Sequence, residues 1–344
     1  MIYPPRPSPG DRVAVVSPSA GLPQVFPEVY ELGLRRLREE LDLVPVEYPT
    51  TRVLGTPPKD RARDLHAAFA DPSITAVLAT IGGDDQITVL RHLDSALLQA
   101  NPKPFFGYSD NTNLHLALWN LGIVSYHGCA VMVQLGRPGS MHPLSRESLR
   151  RALFTRETYT LAPADECGDE EGDWNEPESL QQEPVMFPCE GWSWHGPQAT
   201  VSGPAWGGSL EIVDFHLRAG RYLFANESYE GAVLFLETSE ELPPASYVYR
   251  VLMGMGERGL LARFAAVLWG RPKAWSHEQR NSPDEKARYA AEQREAVLAA
   301  VEEYNSRVPL VFGVEFGHTD PQYVVPSGGL ISIDAPRRRI DVTY

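Results

Sequence analysis

The sequence predicts an α/β protein: an N-terminal domain built on a doubly wound parallel sheet, followed by a C-terminal domain of mixed α/β structure. In the first half, short β-branched runs alternate with amphipathic stretches, which is the pattern of parallel βαβ units. The 344 residues exceed one typical domain of roughly 100–200 residues. A stretch over 163–200 interrupts the alternation before it resumes. We therefore expect domains at 1–162 and 201–344, joined by a loop or linker at 163–200.

The elements of the N-terminal half follow from local patterns. Buried, β-branched runs predict strands over residues 12–17, 75–80 and 104–107. Apolar residues at helical spacing predict helices over residues 27–41, 86–98 and 109–121. These strands and helices alternate along the chain, so the predicted sheet is parallel with helices on its faces.

The C-terminal half shows the same two kinds of signal. Apolar runs predict strands over residues 231–238, 264–270, 309–314 and within 329–342. Helices are predicted over residues 207–220, entered through two glycines, and over 281–305. The second helix begins with Ser282, Pro283, Asp284 and Glu285, which combine an N-cap, a first-turn proline and a capping-box glutamate.

Charge and composition exclude several classes of protein. The formal net charge of −14 and the pI of about 5.1 argue against a nucleic-acid binder and against a polybasic membrane surface. No run approaches the ~20 apolar residues of a membrane span, and the N-terminus lacks the pattern of a secretory signal. Cys129, Cys167 and Cys189 are too few and too scattered for a disulfide framework or a zinc site. We expect a cytoplasmic protein without a metal or cofactor.

One segment carries most of the excess negative charge. Residues 165–190 contain ten Asp or Glu and no Lys or Arg, and Trp174, Trp192 and Trp194 lie in or beside them. From composition alone, a solvated surface loop is the favoured interpretation. A long loop is also often functional, and an exposed tryptophan usually has a partner. We predict that the loop covers the active site and that Trp174 stacks on substrate, with a dimer contact as the alternative.

Three candidate catalytic side chains follow predicted strands. Ser109 lies between a strand and a helix, Glu237 ends an apolar strand, and His318 lies in a glycine-flanked turn. At the carboxyl edge of a sheet, these three types suffice for nucleophilic catalysis. The Gly82–Gly83 turn directly follows another strand, so its backbone can approach a ligand closely. Each feature alone also fits a structural role: a helix cap, a solvated strand end or a tight turn. His127, within an apolar stretch, is predicted to be a packed core residue.

The ordered set of motifs resembles the LD-carboxypeptidase family of serine peptidases, from residue 10 to about residue 334. The motifs are VAVVSPSAG, ATIGGDD, FFGYSDNTNLHLAL, WGGSLEIV, FLETSEE and FGVEFGHTDPQYVVPSGG. The resemblance implies an active site between the two domains, a Ser109–His318–Glu237 triad, and an oxyanion hole from the N–H groups of Gly83 and Asp110. It also implies catalysis without metal and a cytoplasmic homodimer.

Two substrate classes remain open within the family. The microcin C immunity-like subgroup, which cleaves an aminoacyl or peptide group from a nucleotide-like moiety, resembles the chain more, because of the long aromatic loop and the WGGSLE motif. The alternative is a murein LD-carboxypeptidase that releases D-alanine from tetrapeptides. We expect substrate contacts from Gly82, Trp174 and Trp206. The acidic loop disfavours phosphate-like anions, and a neutral sulfamate or amide-linked substrate would be repelled less.

Two other classes of protein are weaker. A non-catalytic small-molecule binder is disfavoured because all three triad residue types are present at matching motifs. A nucleotide-cofactor enzyme is disfavoured because residues 17–21 read SPSAG where G-x-G-x-x-G would follow the first strand.

Overall fold

A computed structural model describes residues 1–170 and 172–344. Its strands are β1 (Arg12–Val16), β2 (Val44–Glu47), β3 (Ile74–Ala79), β4 (Phe105–Gly107), β5 (Ser125–His127), β6 (Thr158–Leu161), β7 (Glu166–Cys167), β8 (Phe187–Pro188), β9 (Ser193–His195), β10 (Thr200–Ser209), β11 (Val233–Glu237), β12 (Ala266–Gly270), β13 (Leu310–Val314), β14 (Val325–Ser327), β15 (Leu330–Asp334) and β16 (Arg339–Thr343). Its α-helices are α1 (Pro27–Glu39), α2 (Pro58–Ala70), α3 (Ile87–Leu90), α4 (Ser95–Ala100), α5 (Thr112–Asn120), α6 (Pro143–Phe154), α7 (Leu210–Ala219), α8 (Ala245–Glu257) and α9 (Pro283–Asn305).

One large, mostly parallel sheet runs through both halves of the chain. Its order is β2-β1-β3-β4-β5-β14-β10-β11-β12-β13-β9. Strands β1 to β5 pair in parallel, as do β10 to β13, which confirms the predicted fold class. The two parallel sets are joined by β14, which is antiparallel to β5 and parallel to β10. The carboxyl ends of β3, β4, β11 and β13 lead to the candidate site.

The C-terminal strands return to the N-terminal half. Strand β15 pairs antiparallel with β10 and β16, and β16 pairs antiparallel with β6. The expected domain end at residue 162 therefore falls just after β6, a strand whose pairing partner β16 comes from the C-terminal tail. The boundaries at 162 and 200 stay predictions.

Apolar residues of both faces of the sheet pack into three clusters. One covers β1, β3 and α1 and continues to Val311 and Phe316, a second lies between β10–β13 and α7–α9, and a third lies under α2 and α5. His127 is buried in this packing, as predicted, with its ring 5.3 Å from that of Phe235. None of the described helices is long and apolar enough to cross a bilayer.

Two predicted helices differ from the structure. The helix expected over 86–98 is split into α3 and α4, because the Asp94 side chain accepts a hydrogen bond from Leu97 N and starts a new helix there. The helix expected to enter through two glycines begins only at Leu210. Gly207 and Gly208 instead lie in the last residues of strand β10. A Cβ on Gly207 would collide with Phe235 O, and a Cβ on Gly208 would collide with Thr112. The capping box of Ser282 and Glu285 is present at the start of α9.

The acidic segment is an ordered elaboration anchored to both halves. Strands β7 and β8 form a small hairpin, and β9 adds an antiparallel edge strand to the large sheet. A disulfide joins Cys167 to Cys189, although the three cysteines were expected to be too few and too scattered for a disulfide framework. The two are 22 residues apart in sequence, and the hairpin places their Cα atoms 5.4 Å apart. The cytoplasmic location stays a prediction.

Candidate active site

Ser109 occupies a strained turn between β4 and α5. Its φ of 61° lies in the left-handed region, which non-glycine residues rarely adopt and which is typical of functional turns. Gly107, two residues earlier, has no room for a side chain, since a Cβ there would lie 3.0 Å from Asn111 Cγ and 3.1 Å from Ala79 Cβ. The turn therefore resembles a nucleophile elbow in geometry, although Asn111 stands where the G-x-S-x-G motif has its second glycine.

The glycine turn after β3 lies directly against Ser109. A Cβ on Gly82 would be 3.0 Å from Ser109 Oγ and 3.4 Å from Asp110 N. Asp110 is in the first turn of a 3₁₀ helix, where an N–H group has no intrahelical acceptor. The Gly83 N–H makes no backbone hydrogen bond within the part of the chain that the structure describes. Among the described residues, neither amide predicted for the oxyanion hole has a backbone acceptor, and the Asp110 amide lies beside the serine turn.

The Asp110 side chain is a buried support for this turn. Its carboxylate accepts hydrogen bonds from Ser19 Oγ, from Gln86 N at 2.9 Å and from Asn113 Nδ2 at 2.8 Å. Burial raises the pKa of Asp110 to about 6, against the opposing effect of the bonds from Ser19 and Gln86. Ser19 and Gln86 were not singled out in the sequence. The SPSAG segment that contains Ser19 contributes to the family resemblance, but nothing in it indicated a role for this hydroxyl.

His318 and Glu237 form the expected pair. His318 Nδ1 lies 2.6 Å from Glu237 Oε2, and Glu237 is fully buried at the end of β11. Gly270 and Gly317 make room for it, since a Cβ on either would lie within 3.1 Å of Glu237 Cβ. The ring of Tyr108, the residue before Ser109, packs 4.9 Å from the imidazole. The structure therefore brings the three predicted catalytic residues into one region.

A second carboxylate, which the sequence analysis did not single out, approaches the other side of the imidazole. Glu240 Oε2 lies 3.1 Å from His318 Nε2. Burial disfavours the charged imidazole, but Glu237 and Glu240 outweigh this effect and raise the pKa of His318 to about 9. Burial likewise disfavours the charged form of Glu240, yet His318 and Lys273 hold the pKa of that carboxyl below its usual value. The only sequence signal for Glu240 was its position three residues after Glu237.

A pocket opens beside His318, between the sheet and the acidic segment. Its lining comes from the turn after β4, the loop after β5, the acidic segment, the loop after β12 and the His318 loop: Tyr108, Met132, Val133, Gln134, Gly136, Arg137, Pro138, Gly168, Asp169, Glu170, Gly172, Trp174, Pro184, Lys273, His318, Thr319 and Asp320. Trp174 is half-buried there, with its ring 5.4 Å from that of Phe26. The acidic segment thus lies over the pocket that His318 lines.

Cations from outside the acidic segment balance its carboxylates. Lys286 of α9 lies 2.6 Å from Asp169 and 2.8 Å from Glu170. Arg137 pairs with Glu183 and lies 2.7 Å from Asp320. The repulsion of anionic substrates that composition predicted is therefore reduced where the segment meets the pocket.

One of the two predicted tryptophan contacts, that of Trp206, lies away from the pocket. Trp206 was expected to touch substrate, but it is buried, with its ring stacked 5.6 Å from Phe264 and 5.0 Å from Tyr229. The close approach of the glycines that follow it holds β10 against its neighbours and directs this side chain into the core. Trp192 is also buried, and its Nε1 donates to Glu315 Oε2 at 2.8 Å. No group of three or more His, Cys, Asp or Glu in the described residues has the arrangement of a metal site.

The comparisons with known proteins agree with this architecture. The sequence signature of the LD-carboxypeptidase N-terminal domain matches residues 13–128, and that of the C-terminal domain matches residues 202–333. The Escherichia coli microcin C7 self-immunity protein MccF is 25% identical over 83% of this chain and 78% of its own length. A putative carboxypeptidase of Vibrio cholerae is 26% identical over 97% of this chain and 95% of its own.

Solved structures extend the likeness to the whole fold. A MccF-like protein from Streptococcus pneumoniae, in complex with AMP, superposes with a TM-score of 0.86 at 28% identity, covering 97% of this chain and 99% of the other. A MccF-like protein from Bacillus anthracis gives a TM-score of 0.85 at 23% identity, covering 100% of both chains, and shows the fold alone. The two matched domains and the shared fold show that the chain belongs to the LD-carboxypeptidase family and is a hydrolase of the peptidase type.

Proposed function

We propose that the protein is a serine amide hydrolase that cleaves an aminoacyl or peptidyl group from a nucleotide-like moiety. The observation that carries the proposal is the His318–Glu237 pair at 2.6 Å, beside a serine in a strained turn and a pocket with Trp174 on its wall. The MccF-like relative from Streptococcus pneumoniae is in complex with AMP, which supports a nucleotide-like ligand for this pocket. Trp174 would offer an aromatic face to its base.

In the proposed reaction, Ser109 Oγ attacks the carbonyl carbon of the scissile amide while His318 Nε2 takes the hydroxyl proton. Glu237 holds the imidazole through Nδ1 and stabilises the cation that forms. The N–H groups of Gly83 and Asp110 donate to the oxyanion of the tetrahedral intermediate. The C–N bond breaks as His318 returns the proton to the leaving nitrogen. Water, deprotonated by His318, then hydrolyses the acyl-enzyme and frees Ser109.

A murein LD-carboxypeptidase activity is the second candidate. The probable murein peptide carboxypeptidase of Bacillus subtilis is 32% identical, although over only 48% of this chain. The pocket also contains Arg137 and Lys273, cations of the kind that recognise a carboxylate. The ring of Trp174 and the length of the acidic segment favour the nucleotide-like substrate. A homodimer stays a proposal from the family resemblance.

A substrate panel tests the proposal. The purified protein and its Ser109→Ala variant are incubated with glutamyl sulfamoyl adenosine, aspartyl sulfamoyl adenosine and a murein L,D-tetrapeptide, and the products are separated by chromatography. We expect Ser109-dependent release of the amino acid from the sulfamoyl adenosines. Release of D-alanine alone would establish the murein activity instead. Hydrolysis that is unchanged in Ser109→Ala would refute the serine mechanism.

A further inference from the structure

The imidazole of His318 lies between two carboxylates. Glu237 holds Nδ1, and Glu240 Oε2 lies 3.1 Å from Nε2, the atom that must take the serine proton. The His318 side chain is 7% exposed, whereas that of Glu240 is 56% exposed. Among the described residues Nε2 has no hydrogen-bond partner, because the approach of Glu240 is poorly aligned. An ionic contact without a hydrogen bond is therefore open to exchange with a group that enters from solvent.

This contact favours the wrong protonation state for catalysis. With a carboxylate near each nitrogen, the imidazole is held as imidazolium, and its pKa rises to about 9. An imidazolium cannot accept the proton of Ser109. The charged and titratable groups that face His318 are Glu237, Glu240, Glu211, Glu241, His127 and the ring of Tyr108. Of these, Glu240 is the exposed carboxylate that contacts Nε2.

Two further carboxylates lie near Glu240, and Lys273 is a cation that acts on it besides His318. Burial raises the pKa of Glu241, and the neighbouring carboxylates of Glu240 and Asp84 raise it further. Asp84 directly follows the Gly82–Gly83 turn, so its interaction with Glu241 links these carboxylates to that turn. A cation that pairs with Glu240 would compete with the imidazolium for that carboxylate.

We propose that Glu240 binds the free α-ammonium group of a single aminoacyl substrate and thereby releases His318 to act as the base. This deepens the proposed function and rests on it. The ammonium of an aminoacyl amide is carried by the carbon bonded to the scissile carbonyl, so attack by Ser109 brings it near His318. As it pairs with Glu240, the imidazolium loses one proton to solvent and becomes neutral. A peptidyl acyl group presents a neutral amide nitrogen at that position and lacks this effect.

The test compares alanyl sulfamoyl adenosine with its N-acetyl derivative in the wild type, Glu240→Gln and Glu241→Gln. Glu241→Gln is the matched control, because it removes the same charge from the adjacent residue without the Nε2 contact. We expect the wild type to favour the free amine in kcat/KM by about tenfold or more, because with the acetylated nitrogen Glu240 stays paired with His318 and the imidazole stays protonated. Glu240→Gln should lose most of this preference, and Glu241→Gln should keep it.

The pH profile supplies a second readout. Glu240→Gln should move the acidic limb of kcat/KM for the N-acetyl substrate to lower pH, because the free-enzyme pKa of His318 falls. A preference and an acidic limb that are both unchanged in Glu240→Gln would overturn the inference.

Binding separates this inference from the proposed function. Calorimetry on Ser109→Ala and Ser109→Ala/Glu240→Gln measures affinity for both ligands without turnover. One outcome is that the wild type hydrolyses neither compound while Ser109→Ala binds the free amine more tightly than the N-acetyl compound and Ser109→Ala/Glu240→Gln does not. In that case the proposed function fails and the Glu240 site stands. Equal affinity for the two ligands in Ser109→Ala would refute the site.

Discussion

The serine side and the histidine side of the site differ in how their buried polar atoms are satisfied. On the serine side, Asp110, Asn111 and Asn113 form a continuous network with Gln86 and Ser19. On the histidine side, three buried atoms have no hydrogen-bond partner among the described residues: Glu237 Oε1, His318 Nε2 and Thr319 Oγ1. Such atoms cost free energy in the folded state and are tolerated mainly where function uses them.

The difference indicates that the two sides do different work. The serine side holds a strained backbone and two amide donors in one geometry, which needs rigid support. The histidine side must exchange protons and partners during the reaction, and its unpaired atoms leave it free to do so. Substitutions on the two sides should therefore fail in different ways.

The largest effect is expected from Ser109→Ala. Loss of the nucleophile should reduce kcat by about 10³-fold or more. The fold should remain intact, because no described hydrogen bond uses the hydroxyl and Ala tolerates this backbone nearly as well as Ser. Steady-state assays and thermal melting check both parts, with exposed Ser246→Ala as a control. Near-wild-type turnover would remove the serine side from the mechanism.

Glu237→Gln tests the histidine side, where Glu237 is expected to orient the His318 imidazole. The amide can favour the wrong imidazole tautomer, so kcat should fall by about 10²–10⁴-fold. Loss of the carboxylate also lowers the pKa of His318. NMR titration of the His318 ring should therefore show its midpoint at lower pH than in the wild type. An unchanged midpoint would contradict the pairing at 2.6 Å.

Gly82→Ala tests how rigid the serine side is. The new Cβ would lie 2.8 Å from Ser109 Cβ, so one of them must shift. A displacement of about 1 Å at the nucleophile costs about 10²-fold in rate. Gly254→Ala is the control, since a Cβ there meets nothing within 4 Å. Equal activity of both variants would show that the turn holding Ser109 adjusts to the added Cβ without loss of catalytic geometry.

Trp174→Ala extends the comparison to the acidic segment. Loss of stacking, worth about 1–3 kcal/mol per base, should raise KM for a sulfamoyl adenosine by about tenfold or more. KM for a murein peptide should change much less. Equal effects on both substrates, or altered sedimentation with unchanged kinetics, would assign the ring to another role, such as the dimer contact.

A matched pair of threonines measures the difference in stability directly. Thr112 Oγ1 accepts a hydrogen bond from Ser209 N at 3.0 Å, whereas buried Thr319 Oγ1 has no described partner. Thr112→Val should lower the free energy of unfolding by about 1–3 kcal/mol, because Ser209 N–H is left unpaired. Thr319→Val should be close to neutral. Urea denaturation of both variants gives the values, and equal losses would mean that the two sides are supported alike.

The sequence predicted what depends on local pattern and on strand ends. Strands such as β1 and β13 and the capped start of α9 lie within a few residues of their expected bounds. Ser109, Glu237 and His318 lie in one region because each lies at or beyond the carboxyl end of a strand of the same sheet. The position of β14 between β5 and β10 could not be predicted, because it depends on pairing between segments that are distant in sequence.

Side-chain surroundings were less predictable than backbone. Trp206 and Trp174 look alike in sequence, yet one packs against Phe264 and the other lines the pocket. The burial of each ring depends on which face of its own segment packs against the core. The pairing of Cys167 with Cys189 depends likewise on a hairpin register. Glu240 is one of three glutamates in the FLETSEE segment, and no local pattern distinguishes it from Glu241.

The return of the C-terminal strands has a consequence for biosynthesis. While the chain is being made, β5 has no partner on its outer edge until β14 emerges, and β6 waits for β16. Contacts between such distant segments form slowly, and an unpaired strand edge invites association with other chains. The nascent N-terminal half, with its serine already in place, is therefore exposed on the ribosome as an incomplete sheet. We expect chaperones to bind first at the open edges of β5 and β6.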